Sequence, residues 1–481
     1  MILARLGAVQ KAVARQGGRL ALLFLLFGLP AGAGLAWFTP LGDMPDEPAH
    51  MARAEGLLYG QLMGFRGPPP PSPGIAGAGV LTDASAIPVS IAELVPTLRG
   101  APLPDAARAR ARAVRWGNQP SYFPTQMVQY FPAFYLPSAA GLWAGRAMGL
   151  SPLQAAFLAR FFMLAAYLAM GWAALRLARF GQPLLFTLLL LPVSLLLGAS
   201  LSQDGQLIAA TALAAALLTR AGPKPGWGWA AALGLLVLVV CSKPSYAPFL
   251  GLCVLPLARP GLGARLGVCA AALALPLAWM RLMTSCCYTG WLAPPYHPGP
   301  LWPGAGGLTF DRFSAAGNLA VLRAHPLQAL ILPARLLLDQ GGRLWREMIA
   351  LLSAGGVHLP PWQVWGWSLA LLGACMGCMA QPGPGPRPRQ TGFVALLLAA
   401  AWAGVSLALY LSYTQVGAAR IAGVNGRYLL LFWPALPFLL PRWRGRPWLA
   451  GAALFPALLM AALDVWALPA FTWQLYRMAG P

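Results

Sequence analysis

Between Gly42 and Gly56 the chain reads GDMPDEPAHMARAEG and gathers Asp43, Asp46, Glu47 and Glu55, although all 481 residues hold only 12 acids against 34 lysines and arginines. Three chemistries fit this cluster. Asp46 or Glu47 ahead of Pro48 suits a helix start: a carboxylate accepts free backbone N–H groups there, and proline at the first position loses no bond. Capping explains one acid, not three in five residues. Adjacent carboxylates repel and raise one pKa. A carboxylate steered by such a neighbour can take a proton from a hydroxyl nucleophile, which makes Asp46 and Glu47 candidate bases. His50, four residues after Asp46, falls on the same helix face. Asp43, Asp46, Glu47 and His50 also form a hard-ligand set for a divalent cation, Mg2+ or Mn2+. The residues alone leave cap, base and metal site open.

A second group is cationic. Arg427 stands in Gly423-Val-Asn-Gly-Arg-Tyr428. Its fork could grip a phosphate with two bonds while Gly423 and Gly426 let the backbone approach. Snorkelling to the headgroups is the plainer reading. Lys243 lies between two apolar runs, where a charge costs ~2.5–3.5 kcal/mol and so calls for a partner. Asp204 lies between apolar runs as well and is that partner in principle, with Ser200 and Ser202 lining the same mouth. A turn at Gln203-Asp204-Gly205 that caps the next helix is the alternative. Tyr122, Tyr130 and Tyr135 suit a carbohydrate platform or an interfacial belt, and Trp302, Trp345 and Trp362 share that ambiguity. His297, His325 and His358 show no ligand spacing.

The elements that must position these groups are read from the apolar pattern. The chain is 58% hydrophobic and 10% charged, where soluble domains carry roughly 25% charged residues. Its apolar runs are continuous, not alternating, which excludes a β-barrel and predicts an all-α, polytopic integral membrane bundle forming one domain over 1–481. The formal charge of +22 sits between apolar runs and not in one patch, so it reports topology and not nucleic-acid binding. The seven cysteines show neither a disulfide framework nor a metal-type spacing. Spans are expected at 20–38, 153–176, 182–199, 205–219, 228–242, 245–258, 264–283, 363–380, 392–412, 428–441 and 448–468, about eleven transmembrane helices. The first resembles a signal peptide at Ala31-Gly-Ala33 but runs past that site, so a retained helix with a cytoplasmic N-terminus is favoured.

With that count, Arg176, Arg179, Arg220, Lys224, Arg259, Arg265, Arg387, Arg389, Arg442, Arg444 and Arg446 face the cytoplasm, and no acid joins them. The count requires that 131–150 not cross. Large extracytoplasmic loops then cover 39–130 and 284–362, and the first holds seven of the twelve acids. Its stretch Gly67–Gly74, rich in proline, is expected to be extended. Residues 105–115 read as a basic surface helix, and 326–352 as an amphipathic one. No internal repeat of the transporter kind is seen.

Six motifs in order carry a family resemblance. They are Pro45-Asp-Glu-Pro-Ala-His50, Tyr130-Phe-Pro-Ala-Phe-Tyr-Leu-Pro137, Ala159-Arg160, Ser200-Leu-Ser-Gln-Asp204, Lys243-Pro-Ser-Tyr246 and Gly423-Val-Asn-Gly-Arg-Tyr428. Together they resemble a bacterial membrane-protein family known as domain of unknown function 2142, which usually has Gln where Asn425 stands. That family is similar to the GT-C glycosyltransferases, which take sugars from polyprenyl-phosphate carriers and hold the catalytic acid in the first extracytoplasmic loop.

The resemblance implies a GT-C-like enzyme of the bacterial inner membrane whose active face is extracytoplasmic. Asp46 and Glu47 would be catalytic. His50, Tyr130, Tyr135, Arg160, Asp204, Lys243, Tyr246, Asn425, Arg427 and Tyr428 would bind substrate. The donor would be a polyprenyl-phosphate-linked sugar, and the acceptor a glycan, a lipid or a protein. A transporter or flippase for lipid-linked glycans, or a non-catalytic partner in polysaccharide assembly, is the alternative. Passage would need polar residues continuing through mid-membrane, and the expected helices are largely Ala, Leu, Gly and Val.

Overall fold

A computed structural model of the chain describes residues 2–67, 77–83, 104–117, 119–221, 226–255, 257, 261–287, 291–353, 356–443, 447–477 and 480–481. The proline-rich stretch past Gly67 lies outside the described residues, as do Lys224, Arg259, Arg444 and Arg446.

The order begins α1 (Ile2–Phe38), α2 (Glu47–Leu58), β1 (Phe65–Arg66), β2 (Ala78–Asp83), α3 (Asp105–Ala113), β3 (Pro120–Pro124), α4 (Leu136–Ala147) and α5 (Pro152–Leu177). It continues with α6 (Gln182–Leu190), α7 (Pro192–Gly198), α8 (Asp204–Leu218), α9 (Trp227–Ser242) and a 3-10 segment, Pro244–Val254. Then come α10 (Leu262–Ala272), α11 (Ala274–Cys286), β4 (Leu292–Tyr296), β5 (Phe310–Arg312), α12 (Ala315–Ala324) and α13 (Gln328–Ala350). The chain ends through α14 (Pro361–Met379), α15 (Pro388–Tyr413), a second 3-10 segment, Gly426–Phe438, α16 (Pro447–Ala452) and α17 (Phe455–Tyr476).

The protein is a helical membrane protein, but the count of eleven full spans is not what the helices provide. Among the described residues five stretches are long and apolar enough to cross: Gln16–Phe38, Pro152–Leu177, Leu262–Cys286, Pro388–Tyr413 and Leu449–Tyr476. A sixth exists if α12 and α13, bent by 106° to each other, count as one. Proline explains much of the difference. The single helix expected over 182–199 breaks at Leu191, because Pro192 has no N–H to continue the ladder. The segments expected at 245–258 and 428–441 wind as 3-10 turns around Pro248 and around Pro434 and Pro437. The 15 residues of α8 and 16 of α9 reach about 22–24 Å, short of a core of ~30 Å. With 12 residues, α4 is shorter still.

The chain is also not purely helical. The first loop folds into an antiparallel sheet, β1-β2-β3, with Phe65 opposite Gly79 and Val80 opposite Phe123. The second carries the pair β4-β5. The basic helix expected near 105–115 is α3.

Small residues let the bundle close. A Cβ on Gly141 of α4 would lie 2.4 Å from the Ala159 Cα of α5, so only glycine permits that approach. Helices α1 and α5 run antiparallel. Trp37 sits edge-on to Phe157 with ring centroids 6.1 Å apart, and at the other end Gly17 abuts the Leu175 carbonyl. Leu22, Leu26, Leu396 and Trp466 stay exposed on α1, α15 and α17, as lipid-facing residues should. The two ends differ in charge. At one, the last turns of α1, α9 and α15 meet the first turns of α5 and α8. At the other, Arg176, Arg179, Arg220, Arg387, Arg389 and Arg442 gather on segments that contain no acid.

Candidate active site

At the end where acids collect, a cavity of about 360 Å3 is lined by Asp46, His50, Tyr130, Asp204, Lys243, Asn425, Arg427 and Tyr428, together with Gln126, Met127, Gln129, Trp291, Leu409, Ser412, Tyr413 and Gly423. Its acid is placed by an unusual backbone. Asp46 has φ 57° and ψ 13°, and among the described residues only it and Arg477 are non-glycine residues in the left-handed region. Such a conformation costs on the order of 1–3 kcal/mol and is tolerated where the surroundings enforce it. It starts α2 without a cap: the Asp46 side chain accepts no backbone N–H of the helix. The carboxylate turns outward, half exposed, and accepts a hydrogen bond from Arg427 Nη2.

Charge alternates inward from there. Arg427 Nε lies 3.6 Å from Asp204 Oδ2, and Lys243 Nζ lies 2.7 Å from Asp204 Oδ1. Tyr428 lies beneath both cations, 5.0 Å from Lys243 Nζ and 5.6 Å from the Arg427 guanidinium carbon. Lys243 and Asp204 are thus the pair that the cost of buried charge requires. Among the described residues Arg427 Nη1 makes no hydrogen bond, and Nε has only the ion-pair contact with Asp204. Arg427 draws the Asp46 carboxyl below its ordinary range, against the effect of burial and with smaller help from His50. Burial drives the His50 imidazole down to about 4, so it is neutral at pH 7. Its Nδ1 shares a 2.7 Å hydrogen bond with the Tyr135 hydroxyl, and its ring stacks on Tyr130 with 15° between planes.

The loop that carries Arg427 is fixed from behind. The Asn425 side chain accepts from the Arg427 N–H at 3.0 Å. Glu347 on α13 accepts the Gly426 N–H at 2.9 Å, and Arg343 holds Glu347 while donating to the Val424 carbonyl at 2.9 Å. Tyr246 lies outside the cavity: buried, it donates to the Tyr428 carbonyl at 2.9 Å and so positions Tyr428. Tyr135 acts at the same remove, through His50.

Two further expected site residues are placed outside the cavity. Glu47 and Arg160 are fully buried against each other, with Arg160 Nε 2.8 Å from Oε1 and Nη2 2.6 Å from Oε2. Arg160 also donates to the carbonyls of Ala36, Thr39 and Pro40, and Glu47 accepts the Gly42 N–H at 2.8 Å. Neither lines the cavity. Arg160 ties the end of α1 to α2, and Glu47 is its counter-ion.

The metal set also diverges. Asp43 accepts from the Tyr476 hydroxyl, Asp46 faces Arg427, Glu47 faces Arg160 and His50 faces Tyr135. Among the described residues no three His, Cys, Asp or Glu side chains converge as ligands would. Tyr122 packs under Gly67 and Gly79 in the sheet, away from the cavity.

Sequence reasoning missed the opposite wall, where Trp291 and Tyr413 meet edge-on at 6.1 Å. It also missed Arg53. Fully buried on α2, Arg53 donates to the carbonyls of Gln61 at 3.1 Å, Leu62 at 2.7 Å and Tyr130 at 3.3 Å, and so sets the Tyr130 wall. Its place three residues after His50 on one helix was the available signal.

No curated protein and no solved structure matches the chain. A family model described as "Predicted membrane protein (DUF2142)" matches residues 29–436, which takes in every cavity residue, and the chain belongs to that family.

Proposed function

We propose that this cavity transfers a sugar from a polyprenyl-phosphate-linked donor to a hydroxyl acceptor at the outer face of the bacterial inner membrane, in the manner of GT-C glycosyltransferases. The observation that carries the reading is the juxtaposition of Asp46 with Arg427 and Lys243 inside one aromatic-walled cavity at the end of apolar helices. A lipid-linked donor has the matching layout: a tail for the bilayer, a phosphate at the headgroup level and a sugar beyond it. The glycosyltransferase assignment rests on the family resemblance and on this fit.

The donor phosphate would take Nη1 of Arg427, which makes no hydrogen bond among the described residues, and the remaining donors of Lys243. Sharing Arg427 with a phosphate weakens its hold on Asp46, whose pKa then rises toward that of a working base. Asp46 removes the acceptor proton, and the acceptor oxygen bonds to the anomeric carbon. The bond from that carbon to the phosphate oxygen breaks, and its electron pair leaves with the phosphate. Neutral His50, held by Tyr135, orients the acceptor by hydrogen bond. Trp291, Tyr413 and Tyr130 offer faces for sugar rings.

Passage of the glycan across the membrane is less well supported. Below Asp204, α8 is buried and apolar through Leu207, Ile208, Ala209 and Ala210. Its polar residues Gln206 and Thr211 donate to the carbonyls of Met163 and Leu207.

The test incubates the purified full-length chain with labelled polyprenyl-phosphate sugars and candidate glycan, lipid and protein acceptors. Transfer by wild type that falls about 10^2–10^4-fold in Asp46→Asn supports the reading. Equal turnover in Asp46→Asn removes Asp46 as the base.

A further inference from the structure

At the opposite end of the bundle is a second cavity, of about 460 Å3, that the proposed transfer does not use. Its walls divide by chemistry. Phe180, Leu218, Leu255 and Phe438 are apolar, and Thr219, Gln390, Arg387 and Arg442 are polar or charged. Among the described residues no carboxylate lines it. Of its two cations, Arg442 is anchored and Arg387 is exposed. Arg442 Nη1 donates to the carbonyls of Cys378 at 3.0 Å and Leu440 at 3.4 Å, and the guanidinium rests 4.9 Å over the Phe180 ring. Among the described residues its Nε and Nη2 take no partner, which leaves one edge of the fork for an anion. Arg387 stands at the start of α15, and Gln390 is fixed beside it by accepting the Arg387 N–H at 3.0 Å.

We infer that this cavity binds the phosphodiester headgroup of an anionic membrane lipid. A phosphate needs the cations. The apolar walls, level with the ends of α5, α8 and α15, suit the glycerol and the first methylenes of the acyl chains and have no use for a soluble anion. Basic pockets between membrane helices are the usual seats of such headgroups. The site is independent of the transfer reaction, and its occupant would pin the turn between α5 and α6, the end of α8, the start of α15 and the segment Gly426–Phe438, whose other end presents Arg427.

The test titrates the delipidated full-length chain in neutral detergent with phosphatidylglycerol, with phosphatidylcholine and with soluble glycerol 3-phosphate, and follows the first lipid adduct by native mass spectrometry. One phosphatidylglycerol per chain should be retained in preference to phosphatidylcholine. Retention should weaken about fivefold in Arg387→Gln and about 25-fold in Arg387→Gln/Arg442→Gln, one cation at a membrane surface being worth that factor. Equal retention of the two lipids, or of phosphatidylglycerol by wild type and Arg387→Gln, overturns the site. Displacement of the lipid by an equal concentration of glycerol 3-phosphate overturns its lipid character. Arg442→Gln also removes two bonds at helix ends, whereas Arg387→Gln does not. The single variant therefore decides the matter if the double variant fails to fold.

Discussion

Asp46 and Glu47 are neighbours in sequence, yet the structure assigns them opposite consequences on mutation. Glu47→Gln keeps the shape and deletes the charge that faces Arg160. Arg160 would remain fully buried with only the carbonyls of Ala36, Thr39 and Pro40. Breaking one partner of such a pair costs about 3–5 kcal/mol. Unfolding entropy of roughly 2.1 cal/mol/K per residue gives a chain of this length about 1 kcal/mol per degree, so Tm should fall by about 3–5 °C.

Asp46→Asn should leave Tm within about 1 °C, because Asn also tolerates the left-handed backbone and the lost ion pair is partly solvated. Glycosyl transfer should behave in reverse: nearly lost in Asp46→Asn, and retained in folded Glu47→Gln. The assay is thermal unfolding in detergent paired with transfer at a temperature well below either Tm. Replacing both partners, Glu47→Gln with Arg160→Met, should recover most of the stability, because no uncompensated charge remains. A Glu47→Gln protein with wild-type Tm and abolished transfer would refute the division of labour.

Acidification provides another check. Arg427 holds the Asp46 pKa below the ordinary carboxylate value of 3.8, so its native-state stabilisation is complete above that value and is lost only as pH falls through the lower, folded pKa. Activity as kcat/KM should accordingly show no acid limb from Asp46 above about pH 4, while kcat, measured with phosphate sharing Arg427, should show its limb at higher pH. Burial lifts the Asp43 carboxyl to about 6 against the hydrogen bond from Tyr476, so stability should decline as pH rises through the interval from 3.8 to 6, and Asp43→Asn should flatten that slope in a Tm-against-pH series. Tyr135→Phe strands His50 Nδ1 in a buried site and should cost about 1–3 kcal/mol, read by denaturant titration, with transfer reduced at unchanged donor affinity. Gly141→Val drives a side chain into the Ala159 backbone and should destabilise by about 1–3 kcal/mol, read as lower Tm, with Gly141→Ala intermediate.

Much of the cavity was legible because charge is costly in a bilayer. That argument paired Lys243 with Asp204 without any structure, and the motif order put Asp46 and Arg427, 381 residues apart, into one site. The roles of Asp46 and Glu47 were not separable, because one backbone angle at Asp46 decides which side each carboxylate takes and no pattern of residue types encodes it. Arg160 stood among the expected ligands for substrate through the family resemblance alone, and an arginine fork serves a phosphate or a carboxylate equally well. Helix lengths were not legible for a physical reason as well: apolar composition marks depth in the membrane, but prolines at 192, 248, 434 and 437 decide whether an apolar run is one long helix. The walls formed by Trp291, Tyr413 and Arg53 come from long-range packing and have no local signature.

The clamp between Glu47 and Arg160 also constrains biogenesis. Glu47 is synthesised 113 residues before Arg160, so the nascent chain carries an unmatched carboxylate beside its first hydrophobic helix until the Pro152–Leu177 segment leaves the translocon. The lip of the cavity therefore sets only when that later helix docks, and a chain interrupted before it would carry Asp43, Asp46 and Glu47 without the scaffold that aims them.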